Sequence, residues 1–156
     1  MSDYTDYIDR TVDLVAFSGP FPSATIPLTM ALANEGEGGQ LQTGILKLAQ
    51  KFMLLLLTPI GSIPGLPLSG CDFMPKLQQG LLRTTLDVYA AFSSAVSDIK
   101  IQILAEESTT MPDDERFSSA VIIKLRLTAD SASITLQITS LAGSSRKVVL
   151  PLSITV

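Results

Sequence analysis

The C-terminal part of the chain alternates between apolar and polar positions in four stretches. Ile99, Ile101 and Ile103 alternate with Lys100 and Gln102, and Ile123, Leu125 and Leu127 with Lys124, Arg126 and Thr128. Ile134, Leu136 and Ile138 alternate with Thr135, Gln137 and Thr139. Val148, Leu150, Leu152, Ile154 and Val156 alternate with Val149, Pro151, Ser153 and Thr155. A period of two with one polar face predicts strands over 98–156, forming a small antiparallel or mixed sheet of about four strands with helices on its apolar side. Ala129-Asp-Ser-Ala132 and Ala142-Gly-Ser-Ser145 read as turns, and Ser108 to Glu115 as a longer solvated loop. Proline cannot donate to a ladder, so Pro151 predicts that the last strand is an edge. From Val148 onward that edge carries no charge to guard it, and an unguarded edge invites another strand.

Upstream the period changes. Leu41, Ile45, Leu48, Phe52 and Leu55 recur in steps of four and three, which predicts a helix over 41–57 with Lys47, Gln50 and Lys51 on the other side. From Phe52 to Leu57 the helix becomes apolar all round, so this chain or a neighbour has to cover it. Pro59 ends it. A second helix is predicted over 81–96, with Leu81, Val88, Phe92 and Val96 in one row and Leu82, Leu86 and Tyr89 beside it. The intervening 59–80 holds Pro59, Gly61, Pro64, Gly65, Pro67, Gly70, Pro75 and Gly80, and reads as a long loop. Its Ile60, Ile63, Leu66, Leu68, Phe73 and Met74 imply that it packs onto something. Residues 1–40 read as an extended N-terminal arm. Val12, Leu14 and Ala16 suit one short strand there, Pro20, Pro22 and Pro27 exclude a helix, and the apolar Ala24 to Ala33 reads as a second extended piece. Asn34 to Gly39 breaks the chain before a single α+β domain over 41–156.

Composition narrows the function classes. Of 156 residues, 46% are hydrophobic and only 17% charged, against about 25% charged in an average domain. A surface poor in charge suits permanent partners. The net charge is −4 and the eleven basic residues are scattered, with Arg146-Lys147 the densest group, which argues against nucleic acid as a partner. The single cysteine, Cys71, excludes an internal disulfide and reads as a small core or loop residue. The acidic start (Asp3, Asp6, Asp9) is unlike a signal peptide, and the longest apolar run is far short of the roughly 20 residues that span a bilayer. A soluble product of the cytoplasm, with no membrane partner, is expected.

Candidate chemistry is sparse. There is no histidine, which removes the usual general base, triad member and metal ligand. No serine sits in a Gly-x-Ser-x-Gly elbow, and Glu35-Gly-Glu-Gly-Gly39 lacks the ending of a phosphate loop. Carboxylate pairs remain: Glu35 with Glu37, Glu106 with Glu107, and Asp113 with Asp114. A glycosidase-like reaction would need two such groups flanking a cleft, one with a raised pKa. Asp113-Asp-Glu115 lacks the alternate spacing of a calcium loop. The expectation is a protein without catalytic residues, cofactor or metal.

The order of elements, together with Leu54-Leu-Leu-Leu-Thr-Pro-Ile-Gly61, resembles the small baseplate wedge family of contractile phage tails, the sheath initiator, also found in contractile injection systems. That family shows a helix ending in a Leu-Leu-Thr-x-x-Gly-type stretch, a Pro- and Gly-rich loop, a second helix and a run of antiparallel strands. The resemblance covers about 41–156. It departs at Ser62-Ile63, where the family commonly has Glu-Arg, and at Ser97-Asp98-Ile99, where it commonly has Glu-Pro-Arg. The resemblance implies a structural virion protein in a six-fold symmetric baseplate, made in the host cytoplasm. It would be bound to wedge subunits, with tube proteins as further neighbours, and its terminal strand would join the first ring of sheath subunits and start sheath assembly. On that reading Val148, Leu150, Leu152, Ile154 and Val156 carry sheath docking, and Leu54, Leu55, Leu56, Leu57, Thr58, Pro59 and Gly61 the wedge contact. The alternative from a different class is a small cytosolic regulatory or chaperone-like protein-binding domain.

Overall fold

A computed structural model describes residues 10–14, 41–128 and 131–153. Two short strands, β1 (Asp13–Leu14) and β2 (Leu41–Gln42), pair antiparallel. Helix α1 (Gly44–Leu57) follows, then the short α2 (Phe73–Gln78) and the long α3 (Thr85–Glu106). Strands β3 (Phe117–Leu127), β4 (Ser131–Ser140) and β5 (Ser145–Ser153) close the chain as one antiparallel sheet in the order β3-β4-β5. The α+β class therefore holds, with three strands in the main sheet rather than four. The rest of the expected arm, including Ala16, Ala24 to Ala33 and the Asn34 to Gly39 break, lies outside the described residues, as do Ile154 and Val156.

The missing strand is a helix. Ile99, Ile101 and Ile103 belong to α3, which runs ten residues beyond the predicted end at 96. Isoleucines at every second position fit a strand, yet Ile99 and Ile103 are also one helical turn apart and extend the row Val88, Phe92, Ala95. Both are buried, whereas Ile101 is 69% exposed. Leu86 and Tyr89, expected beside the buried row, are exposed too, and Ala91 and Ala95 take the inner positions. The true start of α3 is set by a capping box. The Thr84 hydroxyl accepts from the Asp87 N–H at 3.1 Å, and the Asp87 carboxylate accepts from the Thr84 N–H at 2.9 Å. Leu81 and Leu82 precede it.

Three further expectations differ. Leu41 and Gln42 are strand, so α1 starts at 44 rather than 41. The expected 59–80 loop contains α2, whose Phe73 and Leu77 are buried. Gln50, expected on the outer side of α1, is buried, and its amide donates to Asp13 Oδ2 at 3.0 Å.

The core forms between the helices and one face of the sheet. Helix α1 lies over β4 and β5, and α3 over β3. Ile134, Leu136 and Ile138 from β4 and Val148 and Leu150 from β5 are buried beneath them. Phe52 of α1 stacks on Phe117 at 5.7 Å between ring centroids and meets Phe92 edge-on at 6.4 Å, and Phe73 meets Phe92 edge-on at 6.2 Å. The predicted alternation of β4 is observed residue by residue, but that of β3 is reset midway. A bulge between Ile122 and Lys124 leaves Ile123 without a partner, so Ile122 and Leu125, three apart, both face inward opposite Leu136 and Ile134. Ile123 lands on the outer face, 47% exposed. Among the described residues, no helix is long and apolar enough to cross a membrane.

Candidate partner-binding surfaces

Among the described residues the sheet has two edges, β3 and β5, and they differ. The ladder from β3 to β4 shifts register twice, at Phe117/Ser119 and at Ile122/Lys124, and Lys124 and Arg126 project from the second half. Bulges and charge both blunt an edge. The ladder from β4 to β5 runs from Thr139↔Ser145 to Ser131↔Ser153 without a shift. Pro151 stands opposite Ser133 in it, as the edge assignment requires. Val148 and Leu150 are buried in the core and Leu152 half-buried, so these side chains hold β5 in place and only its backbone is offered outward. The strand begins earlier than Val148, and the added residues Arg146 and Lys147 are exposed.

The Leu54 to Gly61 segment divides in the same way. Leu56 is fully buried, Leu55 and Leu57 pack partly against the core, and Leu54 is 37% exposed. Thr58 caps α1: its N–H and its hydroxyl both donate to Leu54 O, at 3.0 and 2.7 Å. Pro59 forms a parallel bridge with Cys71, and Gly61 has φ +77° in the turn that follows. Cys71 is buried, as read, and burial above all pushes its thiol above the ordinary range.

Beyond Gly61 the loop does not fold its apolar side chains inward. Ile60, Ile63, Leu66 and Leu68 all remain exposed, whereas Cys71, Phe73, Met74 and Leu77 pack on the core. Ile60 and residues 65–69 form one wall of a groove of about 590 Å³, and Asp98, Ile101, Gln102, Ala105 and Glu106 of α3 form the other. The α3 wall escaped the sequence reading because Ile101 was placed in a strand. The helical spacing of Asp98, Ile101, Gln102 and Ala105 is the signal that carries it.

The stretch expected to be a solvated loop is a loop and largely exposed, but its last residue, Glu115, is buried at the centre of a set of ion pairs and hydrogen bonds. The Glu115 side chain is 2% exposed, and it accepts from Thr43 Oγ1 at 2.6 Å, from Gly44 N at 3.4 Å and from Thr11 Oγ1, with Lys47 Nζ at 3.7 Å. Burial raises its pKa, but the hydrogen bonds from Thr11, Thr43 and Gly44 and the charge of Lys47 outweigh burial and hold it below the ordinary value. Asp114 pairs with Arg10 at 2.6 Å. Glu107 accepts from Phe117 N at 2.6 Å and lies 3.6 Å from Arg116, which also meets Asp113 at 3.2 Å. Glu106 pairs with Lys51 at 2.7 Å. Each described carboxylate of the candidate pairs thus faces a cation or an amide rather than its neighbour. Glu115 and Asp87 are both held below the ordinary carboxylate value, opposite to what a general acid needs. Glu35 and Glu37 lie outside the described residues. Among the described residues, no group of three His, Cys, Asp or Glu is placed to hold a metal ion.

Comparisons with protein-family models, with curated proteins and with solved structures find no match to this chain.

Proposed function

We propose that this chain is a structural, non-enzymatic subunit of a contractile tail baseplate, joining wedge subunits to the first sheath ring and starting sheath assembly by strand addition. The observation that carries the reading is the regular outer edge of β5, which pairs with no strand among the described residues. Strand addition takes its affinity from main-chain hydrogen bonds along such an edge, and β3, bulged twice, is less suited to it. The sequence supports the baseplate context through Leu54 to Gly61 and the order of elements. The exposed Leu54, Ile60 and following loop supply an apolar face for a wedge neighbour.

The test is to close the edge without removing the strand. Pro151 is compatible with the ladder only where its nitrogen points away from β4, and Val149, two residues earlier, shares that orientation. Val149→Pro therefore removes an outward N–H and spares the pairing to β4. Electron microscopy of assembled particles should show tubes and baseplates whose sheaths do not start. Normally sheathed tails would sink the reading, and a stable monomer with a reversible partner unrelated to tails would favour the binding-domain alternative.

A further inference from the structure

We propose that the groove between the 59–70 loop and α3 receives an amphipathic α-helix of a partner subunit, carrying Lys or Arg beside its apolar stripe. The inference rests on the reading that the loop face meets a partner, and it specifies that partner's chemistry.

The groove is built rather than incidental. Ser62 N–H donates to Pro59 O, Leu66 N–H to Ile63 O and Ser69 N–H to Leu66 O, so the loop is a chain of tight turns. Its end is clamped to α3, where the Gln102 amide accepts from Gly70 N at 3.0 Å and donates to Gly70 O at 2.8 Å. Gly70 is at φ +96°, and a Cβ there would stand 2.2 Å from Thr58 O, so the clamp requires glycine. This ordered frame holds Leu66 at 57%, Leu68 at 76% and Ile101 at 69% exposure on the groove and its rim. Large apolar side chains fixed in solvent around one concavity mark a contact surface.

The walls select the form of the occupant. The loop reverses every three or four residues, and the amides of α3 are spent within its own helix, so neither wall presents an extended edge. A strand laid here would bury unpaired N–H and C=O groups. A helix satisfies its own backbone and needs only side-chain contact. The α3 wall from Asp98 to Glu106 is about 12 Å long, which matches two turns of a helix placed against it. Charge selects the flank. Glu106 at one end is joined to Lys51, whereas Asp98 at the other makes no ion pair among the described residues. The groove is therefore apolar with net negative charge at its rim, and a cation beside the partner's apolar stripe would meet Asp98.

The test uses the full chain and three labelled peptides of about 18 residues, long enough to be helical. The first is built from Leu, Ala and Lys in an amphipathic pattern, the second has Glu for every Lys, and the third repeats the first with a central proline. Fluorescence anisotropy should show binding of the Lys peptide only. Leu68→Glu and Ile101→Glu should weaken it at least tenfold, and Asp98→Lys should transfer the preference to the Glu peptide. All three positions are exposed, so unchanged thermal unfolding checks that the variants fold. Equal binding of the proline peptide, indifference to Leu68→Glu, or no binding of the Lys peptide up to about 1 mM would each overturn the proposal. So would sedimentation showing a homodimer of this chain that Leu68→Glu dissociates, because the occupant would then be a second copy. The peptide measurement reads the groove and the particle images read the assembly role, so either can fail alone.

Discussion

Glu115 gathers donors from two parts of the chain that the sequence separates widely: Thr11, and the start of α1 with Thr43, Gly44 and Lys47. It ties the N-terminal segment and the start of α1 to the loop after α3. Because its folded pKa lies below the unfolded value of about 4.5, the stabilisation is present at neutral pH and is lost as pH falls from there through the folded value. Glu115→Gln should cost about 1–3 kcal/mol at pH 7, since the donors lose a charged acceptor in a buried place. Chemical denaturation across pH 3–7, a range of about four units, should show a flatter acid limb in the variant than in the parent. Gly70 makes a second residue-scale case. Gly70→Ala should cost about 1–3 kcal/mol from the left-handed backbone alone, with the approach to Thr58 O adding to it. A melting temperature equal to that of the parent would show that the turn is not held as described.

At the scale of elements, α3 offers a direct discrimination between helix and strand. In a strand Ile99, Ile101 and Ile103 would share a face, and truncating any of them would cost alike. In α3 only Ile99 and Ile103 enter the core. Ile99→Ala should therefore cost about 2–5 kcal/mol, and Ile101→Ala no more than about 0.5 kcal/mol, by urea denaturation. Similar losses at both positions would contradict the helix. The bulge in β3 belongs to this scale as well. The apolar run Val121-Ile-Ile123 carries no mark of which residue will be skipped, and only pairing with β4 selects Ile123.

For the whole molecule, β5 serves twice: its inner face completes the core, and no strand among the described residues closes its outer edge. Deleting 147–156 would therefore remove Val148 and Leu150 from the core along with the edge. That truncation should abolish cooperative unfolding by circular dichroism, whereas Val149→Pro should keep it. If the truncated chain still unfolds cooperatively, the sheet does not depend on its third strand. The distinction matters for any assembly experiment, because a missing sheath is informative only when the subunit itself is folded.

The α+β class, α1, the β4 alternation and the edge position of β5 were all legible in the sequence, because each rests on a local period or on the chemistry of one residue, such as Pro151. Leu54 and the loop's exposed leucines were legible as apolar, but not as exposed. Whether a hydrophobic side chain is covered depends on what the rest of the chain brings to it, and here nothing in the described residues covers Leu66 or Leu68. The identity of 98–106 was undecidable from alternation alone, since Ile99 and Ile103 satisfy both periods, and packing against β3 and α1 settled it in favour of the helix. The same tertiary step placed Ile101 opposite the loop and so made the groove, and it brought Glu115 to Thr11 across about a hundred residues of chain. Local periods fix how a segment coils, whereas a groove and a buried charge exist only once distant segments meet.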